Sequence, residues 1–74
     1  MSTFNYRVIR LDLASPSEIF MEIREVYYDD EGKITAWTLK AAGVGGDDTA
    51  EIAGVLELMR GALDNPVLKE SEMP

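Results

Sequence analysis

The chain has only 74 residues and contains neither cysteine nor histidine, so a small apolar core must hold it together without a disulfide or a structural zinc ion. A domain of this size buries about 60% of the surface that its unfolded chain exposes, which leaves a thin core. A partner or an oligomer is a common source of further stability for such domains. We therefore expect a single domain over residues 1–68, followed by a frayed tail at residues 69–74.

The missing residue types also limit the chemistry. Zinc, haem and iron–sulfur sites depend mainly on Cys and His, and so do cysteine nucleophiles, Ser–His triads and histidine acid–base catalysis. The 14 acidic residues make carboxylate pairs unavoidable, so no pair is marked out as catalytic. We expect a non-catalytic protein with no metal site and no cofactor.

The sequence carries no signal for a membrane or for export. No apolar stretch reaches the length of about 18 residues that a transmembrane helix needs, and the first residues lack the basic and apolar regions of a signal peptide. The absence of cysteine agrees with a reducing compartment. We expect a cytoplasmic protein.

Three segments have the alternating pattern and residue types of β-strands, namely residues 4–13, 18–28 and 33–41. Trp37, in the third segment, is the best candidate for a large aromatic anchor of the core. Ser15-Pro16-Ser17 predicts the first turn. Asp29-Asp30-Glu31-Gly32 predicts the second, where Gly32 takes a positive φ.

Neither of the two loops that resemble ligand sites has the required spacing. A calcium loop that began at Asp29 would need Glu at its twelfth position, which is Lys40. Gly43-Val44-Gly45-Gly46 lacks the Gly-Lys-Ser/Thr ending of a phosphate loop, and two aspartates follow it. We interpret the first as a hairpin tip and the second as a flexible connection.

A helix follows this connection. Asp48 is a good N-cap, and Glu51 three residues later completes a pattern that resembles a capping box. Asn65-Pro66 ends the helix, because the residue before proline avoids the helical region. An apolar stripe at helical spacing is formed by Ile52, Val55, Leu56, Met59 and Leu63.

The predicted fold is α+β, with a three-stranded antiparallel β-meander and one C-terminal α-helix on one face (β-β-β-α). Val67 and Leu68 could fold back on the sheet. The second face of the sheet is too apolar for a solvated surface and therefore predicts an interface. Its residues are Phe4, Tyr6, Val8, Phe20, Val26 and Tyr28. The alternative is that these residues are core and the two faces are exchanged.

The formal net charge is −7, and it is uneven. Residues 42–74 hold 7 acids and 2 bases, a balance of −5, which disfavours direct binding of nucleic acid or of an anionic membrane. Either the acids only keep the protein soluble, or they form a face that docks on a basic surface. The acidic face consists of Asp47, Asp48, Glu51, Glu57 and Asp64. On the first two strands, Arg7, Arg10 and Arg24 are expected to pair with acids across strands rather than to form a phosphate site.

Several short stretches resemble a family of small uncharacterised bacterial and phage proteins. They are Asn5-Tyr6-Arg7-Val8, Glu25-Val26-Tyr27-Tyr28-Asp29, Gly32-Lys33, Trp37-Thr38, the segment Leu56 to Met59 and Ala62-Leu63-Asp64-Asn65-Pro66-Val67-Leu68. The resemblance covers residues 5–68 and implies no known activity. Members often carry a histidine where this chain has Arg24, so no role of that histidine carries over. The element order is also similar to HicB-type antitoxins, and the size and charge to anti-CRISPR proteins.

These features lead to two functional hypotheses. The first is an acidic protein-binding module, similar to an anti-CRISPR inhibitor, that masks the basic surface of a nucleic-acid-handling protein such as a defence nuclease. The second is an antitoxin or regulatory subunit that forms a homodimer through the apolar sheet face. A small cytosolic protein with another role is the remaining alternative.

Overall fold

The computed structural model describes residues 3–12 and 19–74. In this part of the chain, four strands form one sheet: β1 (Thr3–Leu11), β2 (Phe20–Tyr28), β3 (Ile34–Trp37) and β4 (Leu68–Lys69). The helical elements are α1 (Thr49–Arg60) and two 3₁₀ helices, Gly61–Asp64 and Glu70–Glu72. The predicted α+β class and the helix after the third strand are confirmed. Leu13, the turn at residues 15–17 and Glu18 lie outside the described residues.

The sheet has the strand order β3-β2-β1-β4. β2 pairs antiparallel with both β1 and β3, as predicted, but β4 pairs parallel with β1 through Ile9↔Leu68 and Arg10↔Lys69. The three predicted strands therefore form the antiparallel meander, but the fourth, parallel strand makes the sheet mixed, so the predicted architecture is confirmed only in part. β4 is parallel because α1 carries the chain from β3 at one edge to the opposite edge, and such a crossover returns it in the direction in which β3 and β1 run.

β3 is shorter than the predicted strand at residues 33–41. Beyond Trp37 the chain still follows β2, because Thr38 N donates to the Glu25 carbonyl at 3.0 Å. The Glu25 N–H, however, donates to the Thr38 hydroxyl at 3.3 Å. A side chain thus takes the place of a backbone acceptor, and the regular ladder ends there.

The connection between β2 and β3 is the polar turn that the sequence predicts. Gly32 has φ of 83°, a conformation that suits glycine because it has no Cβ. One carboxylate oxygen of Asp29 accepts from the N–H groups of Glu31 and Lys33, each at 2.9 Å. The acidic side chain at the start of the loop therefore orders the turn itself.

The start of α1 is also as predicted. The Glu51 N–H donates to Asp48 Oδ1 at 2.8 Å, so Asp48 is the N-cap. Glu51 Oε2 in turn accepts from the Asp47 N–H at 2.7 Å, one residue before the group that a capping box uses. The helical turns continue to Asp64, and Asn65 before Pro66 is extended.

Few apolar side chains are buried. Among the described residues the buried apolar side chains are Val8, Ile9, Val26, Met59 and Ala62. Of the predicted helical stripe, Met59 is buried and Ile52 and Val55 are half-buried. Leu56 and Leu63 are 52% and 67% exposed, so the stripe is wider than the surface that the sheet offers it.

The sequence predicts a frayed tail at residues 69–74. In the structure these residues contact two distant parts of the chain, Asp12 after β1 and Trp37 at the end of β3. Lys69 lies in β4, and Glu70 Oε1 accepts from the Asp12 N–H at 2.9 Å. Trp37 Nε1 donates to the Pro74 carbonyl at 3.2 Å. The partners in these two hydrogen bonds are 58 and 37 positions apart in the chain, so a local sequence pattern does not predict them.

Candidate interaction surfaces

The five residues of the predicted acidic face are all exposed. Three of them, Asp47, Asp48 and Glu51, lie together at the start of α1, where the capping hydrogen bonds fix their positions. Glu57 is six residues after Glu51, which turns it by about 120° around the helix axis. Asp64 lies in the 3₁₀ helix that follows. The five acids therefore surround the helix rather than share one face.

The predicted apolar face is divided between the two sides of the sheet. Residues that are directly opposite each other in an antiparallel pair share a face. Phe4 is opposite Tyr27, while Phe20 is opposite Leu11 and Val26 is opposite Asn5. Phe4, Tyr6 and Val8 therefore lie on one side, and Phe20, Val26 and Tyr28 lie on the other.

Aromatic rings cluster on the first side. The Phe4 ring centroid is 5.9 Å from that of Tyr6, edge to face, and 5.7 Å from that of Tyr27. Phe4 remains 50% exposed, whereas Val8 is buried. This half of the predicted set keeps an aromatic surface in contact with solvent.

The other side is not the open apolar surface that the sequence predicted, because it combines fully buried core residues with a polar network. Val26 is fully buried. The Tyr28 hydroxyl donates to Asn5 Oδ1 at 2.8 Å and accepts from Arg7 Nη1 at 3.1 Å. Arg7 Nη2 also donates to the Pro66 carbonyl at 2.7 Å. Tyr28 thus belongs to a hydrogen-bond network that holds the chain before β4.

Arg24 lies opposite Arg7 on the same side. Its guanidinium stacks 4.8 Å from the centroid of the Trp37 ring, and Nη1 donates to the Thr38 carbonyl at 3.0 Å. Its ion pair with Glu22, at 3.5 Å, is along the same strand rather than across strands as predicted. In the described part of the chain the Nε atoms of both arginines are buried without a hydrogen-bond partner.

The side of α1 that faces away from the sheet was not among the predicted surfaces. Only four of its 12 residues are polar or charged, namely Thr49, Glu51, Glu57 and Arg60. Leu58, which falls outside the predicted stripe, is 65% exposed. A helix that is apolar on all sides usually lies inside a protein, so the low polar content of residues 49–60 was the signal.

Comparison with models of protein families, with curated proteins and with solved structures gives no match. Within residues 3–12 and 19–74, no group of three or more acidic side chains is placed to hold a metal ion. The helices of these residues are also too short or too polar to cross a membrane. The resemblances of the sequence stay predictions, and the function is inferred from the surfaces described above.

Proposed function

We propose that this protein is a non-catalytic, acidic protein-binding module that masks a basic, nucleic-acid-handling surface of its partner. One observation carries the proposal. In the described part of the chain, ten large apolar side chains are exposed, against five apolar residues that are buried. This imbalance supports association with a partner, because a domain with so small a core leaves apolar side chains that a partner can cover.

The charge indicates the kind of partner. The sequence between Lys40 and Arg60 contains four acids and no base. The carboxylates of two of these acids, Asp48 and Glu51, are held at the helix start by capping hydrogen bonds, so these two side chains lose little conformational freedom when they bind. A basic protein surface is the complementary partner, and such surfaces commonly bind nucleic acid.

The test begins with affinity capture of the partner from host lysate and its identification by mass spectrometry. The purified pair is then titrated at increasing salt concentrations, and nucleic acid is added as a competitor. We expect the affinity to fall steeply with salt, because salt screens exposed charges, and we expect nucleic acid and this protein to exclude each other. An affinity that stays constant from low to high salt would contradict the proposal.

The aromatic cluster favours a second candidate, a regulatory subunit that dimerises through the Phe4 side of the sheet. The Phe4 ring contacts both Tyr6 and Tyr27 there, and Phe4 is half exposed. Sedimentation of the wild-type protein and of Phe4→Ser distinguishes the two candidates. This second candidate requires a dimer that the substitution dissociates, and it is excluded by a monomer at high micromolar concentration.

A further inference from the structure

We infer that the partner docks on the outer face of α1, and that its docking segment is amphipathic, with apolar side chains flanked by Lys or Arg. This inference rests on the proposed function and specifies where the partner binds. The outer face is defined as the side of the helix turned away from buried Met59. Its residues, all exposed, are Ala50, Ala53, Gly54, Glu57 and Leu58.

The composition of the outer face is unusual for a surface in contact with water. Among its five residues only Glu57 is polar, whereas the solvent side of an amphipathic helix is normally polar. Leu58 projects from it with 65% of its surface exposed. The core of this domain therefore leaves an apolar helix face uncovered.

Gly54 adds a second feature to this face. A Cβ built at Gly54 has no atom of the described fold within 4 Å. Neither a close approach of another described residue nor a positive φ requires glycine there, although glycine weakens a helix relative to alanine. The small side chains beside Leu58 allow another element to approach the helix axis closely.

The charges around the outer face favour a basic occupant over a second copy. Asp47, Asp48, Glu51, Glu57 and Asp64 surround α1, and Arg60 is the base that the helix itself carries. Two copies packed through this face would bring the Glu57 carboxylates of both copies to one interface, where the face itself offers no base to neutralise them. A segment with Lys or Arg beside its apolar side chains would instead meet opposite charge.

The probe is a labelled helical peptide of about 18 residues with Leu on one face and Lys on the other. Two controls have the same length: a scrambled order without an apolar face, and a version in which Glu replaces Lys. Fluorescence anisotropy measures the affinity of the full chain for each peptide. Amide chemical shifts locate the contact.

Three variants of the protein test the surface. Leu58→Ser removes the central apolar side chain. Gly54→Gln covers the face with a longer side chain, in open space and with a better helix former. Leu39→Ser is the matched control, because Leu39 is 83% exposed and lies outside α1. Circular dichroism verifies that all three fold.

We expect the Leu–Lys peptide to bind and to shift the amides of residues 50–58. Leu58→Ser and Gly54→Gln should each weaken binding about tenfold, and Leu39→Ser by less than about twofold. Equal affinity of all variants, shifts confined to other residues, or no binding would overturn the inference. Salt-sensitive binding of the natural partner would then still support the proposed function. A wild-type dimer that Leu58→Ser dissociates would also overturn the inference, since the occupant would be a second copy.

Discussion

Arg24 shows how single residues stabilise a domain with so small a core. It is 6% exposed although it is charged, and its guanidinium contacts the Thr38 carbonyl, the Glu22 carboxylate and the Trp37 ring. These contacts join the middle of β2 to the end of β3. A buried arginine of this kind is costly to desolvate, and removing it leaves its partners without compensation.

We expect Arg24→Ala to lower the free energy of unfolding by about 2 kcal/mol, because Glu22 loses its base and the Thr38 carbonyl loses its donor. Urea denaturation measures the change, and the emission of Trp37, the single tryptophan, reports the loss of the stacked guanidinium. Arg60→Ala is the control, since Arg60 is exposed. Equal stability of the two variants would show that the contacts of Arg24 are of little consequence.

At the scale of elements, α1 depends on its first residues. Asp48 accepts the Glu51 N–H, whereas Asp47 contributes its own N–H to the Glu51 carboxylate. The two neighbouring aspartates have the same charge but different roles. One caps the helix with its side chain, and the other takes part through its backbone.

Asp48→Ala should therefore destabilise the protein by about 1 kcal/mol, the usual contribution of an N-cap side chain. Asp47→Ala removes the same charge but keeps the backbone hydrogen bond, so a smaller change is expected. Thermal unfolding of both variants at one ionic strength measures the difference. A loss of the same size in both would mean that charge, and not the cap, stabilises the helix start.

Substitution by alanine is expected to change the free energy of unfolding in opposite directions at Gly54, in α1, and at Gly46, in the loop before it. Gly54→Ala should raise the free energy of unfolding by up to about 1 kcal/mol, since the new Cβ has open space and alanine favours the helix. Gly46→Ala should lower it, because its Cβ would come within 2.7 Å of Glu51 Cβ. Chemical denaturation compares the two, and stabilisation by Gly46→Ala would contradict the packing described here.

At the scale of the whole molecule, the C-terminal residues connect elements that are distant in the sequence. The Glu70 side chain accepts from the Asp12 N–H, next to the end of β1, and the Pro74 carbonyl accepts from Trp37. β4 joins the edge of the sheet just before the residues that make these two contacts. The domain is therefore closed by a segment with little apolar content of its own.

Glu70→Ala should destabilise the protein by about 1 kcal/mol, because it removes a carboxylate acceptor from a backbone donor. Glu72→Ala is the matched control, since Glu72 is exposed in the same 3₁₀ helix and carries the same charge. Hydrogen exchange of the Asp12 amide gives a local measurement. Protection that persists in Glu70→Ala would show that another group holds this amide.

The features that sequence patterns predict correctly are those with a local physical cause. The alternating pattern of β2, the positive φ of Gly32 and the N-cap at Asp48 each depend on residues within a few positions of one another, so short-range sterics and hydrogen bonding specify them. The exposure of the five predicted acids also follows from their residue type, because exposure is the default for aspartate and glutamate.

The tertiary structure alone decided the features that depend on pairing between distant segments. The strand pairing and register set the parallel position of β4 and place Phe4 and Phe20 on different sides of the sheet. The exposure of Leu58 follows from how much of α1 the sheet covers. A shift of one residue in register exchanges the two faces of a strand, and no local propensity selects between them. The register is instead set by the free energy of the assembled core, which includes contacts between residues far apart in the chain.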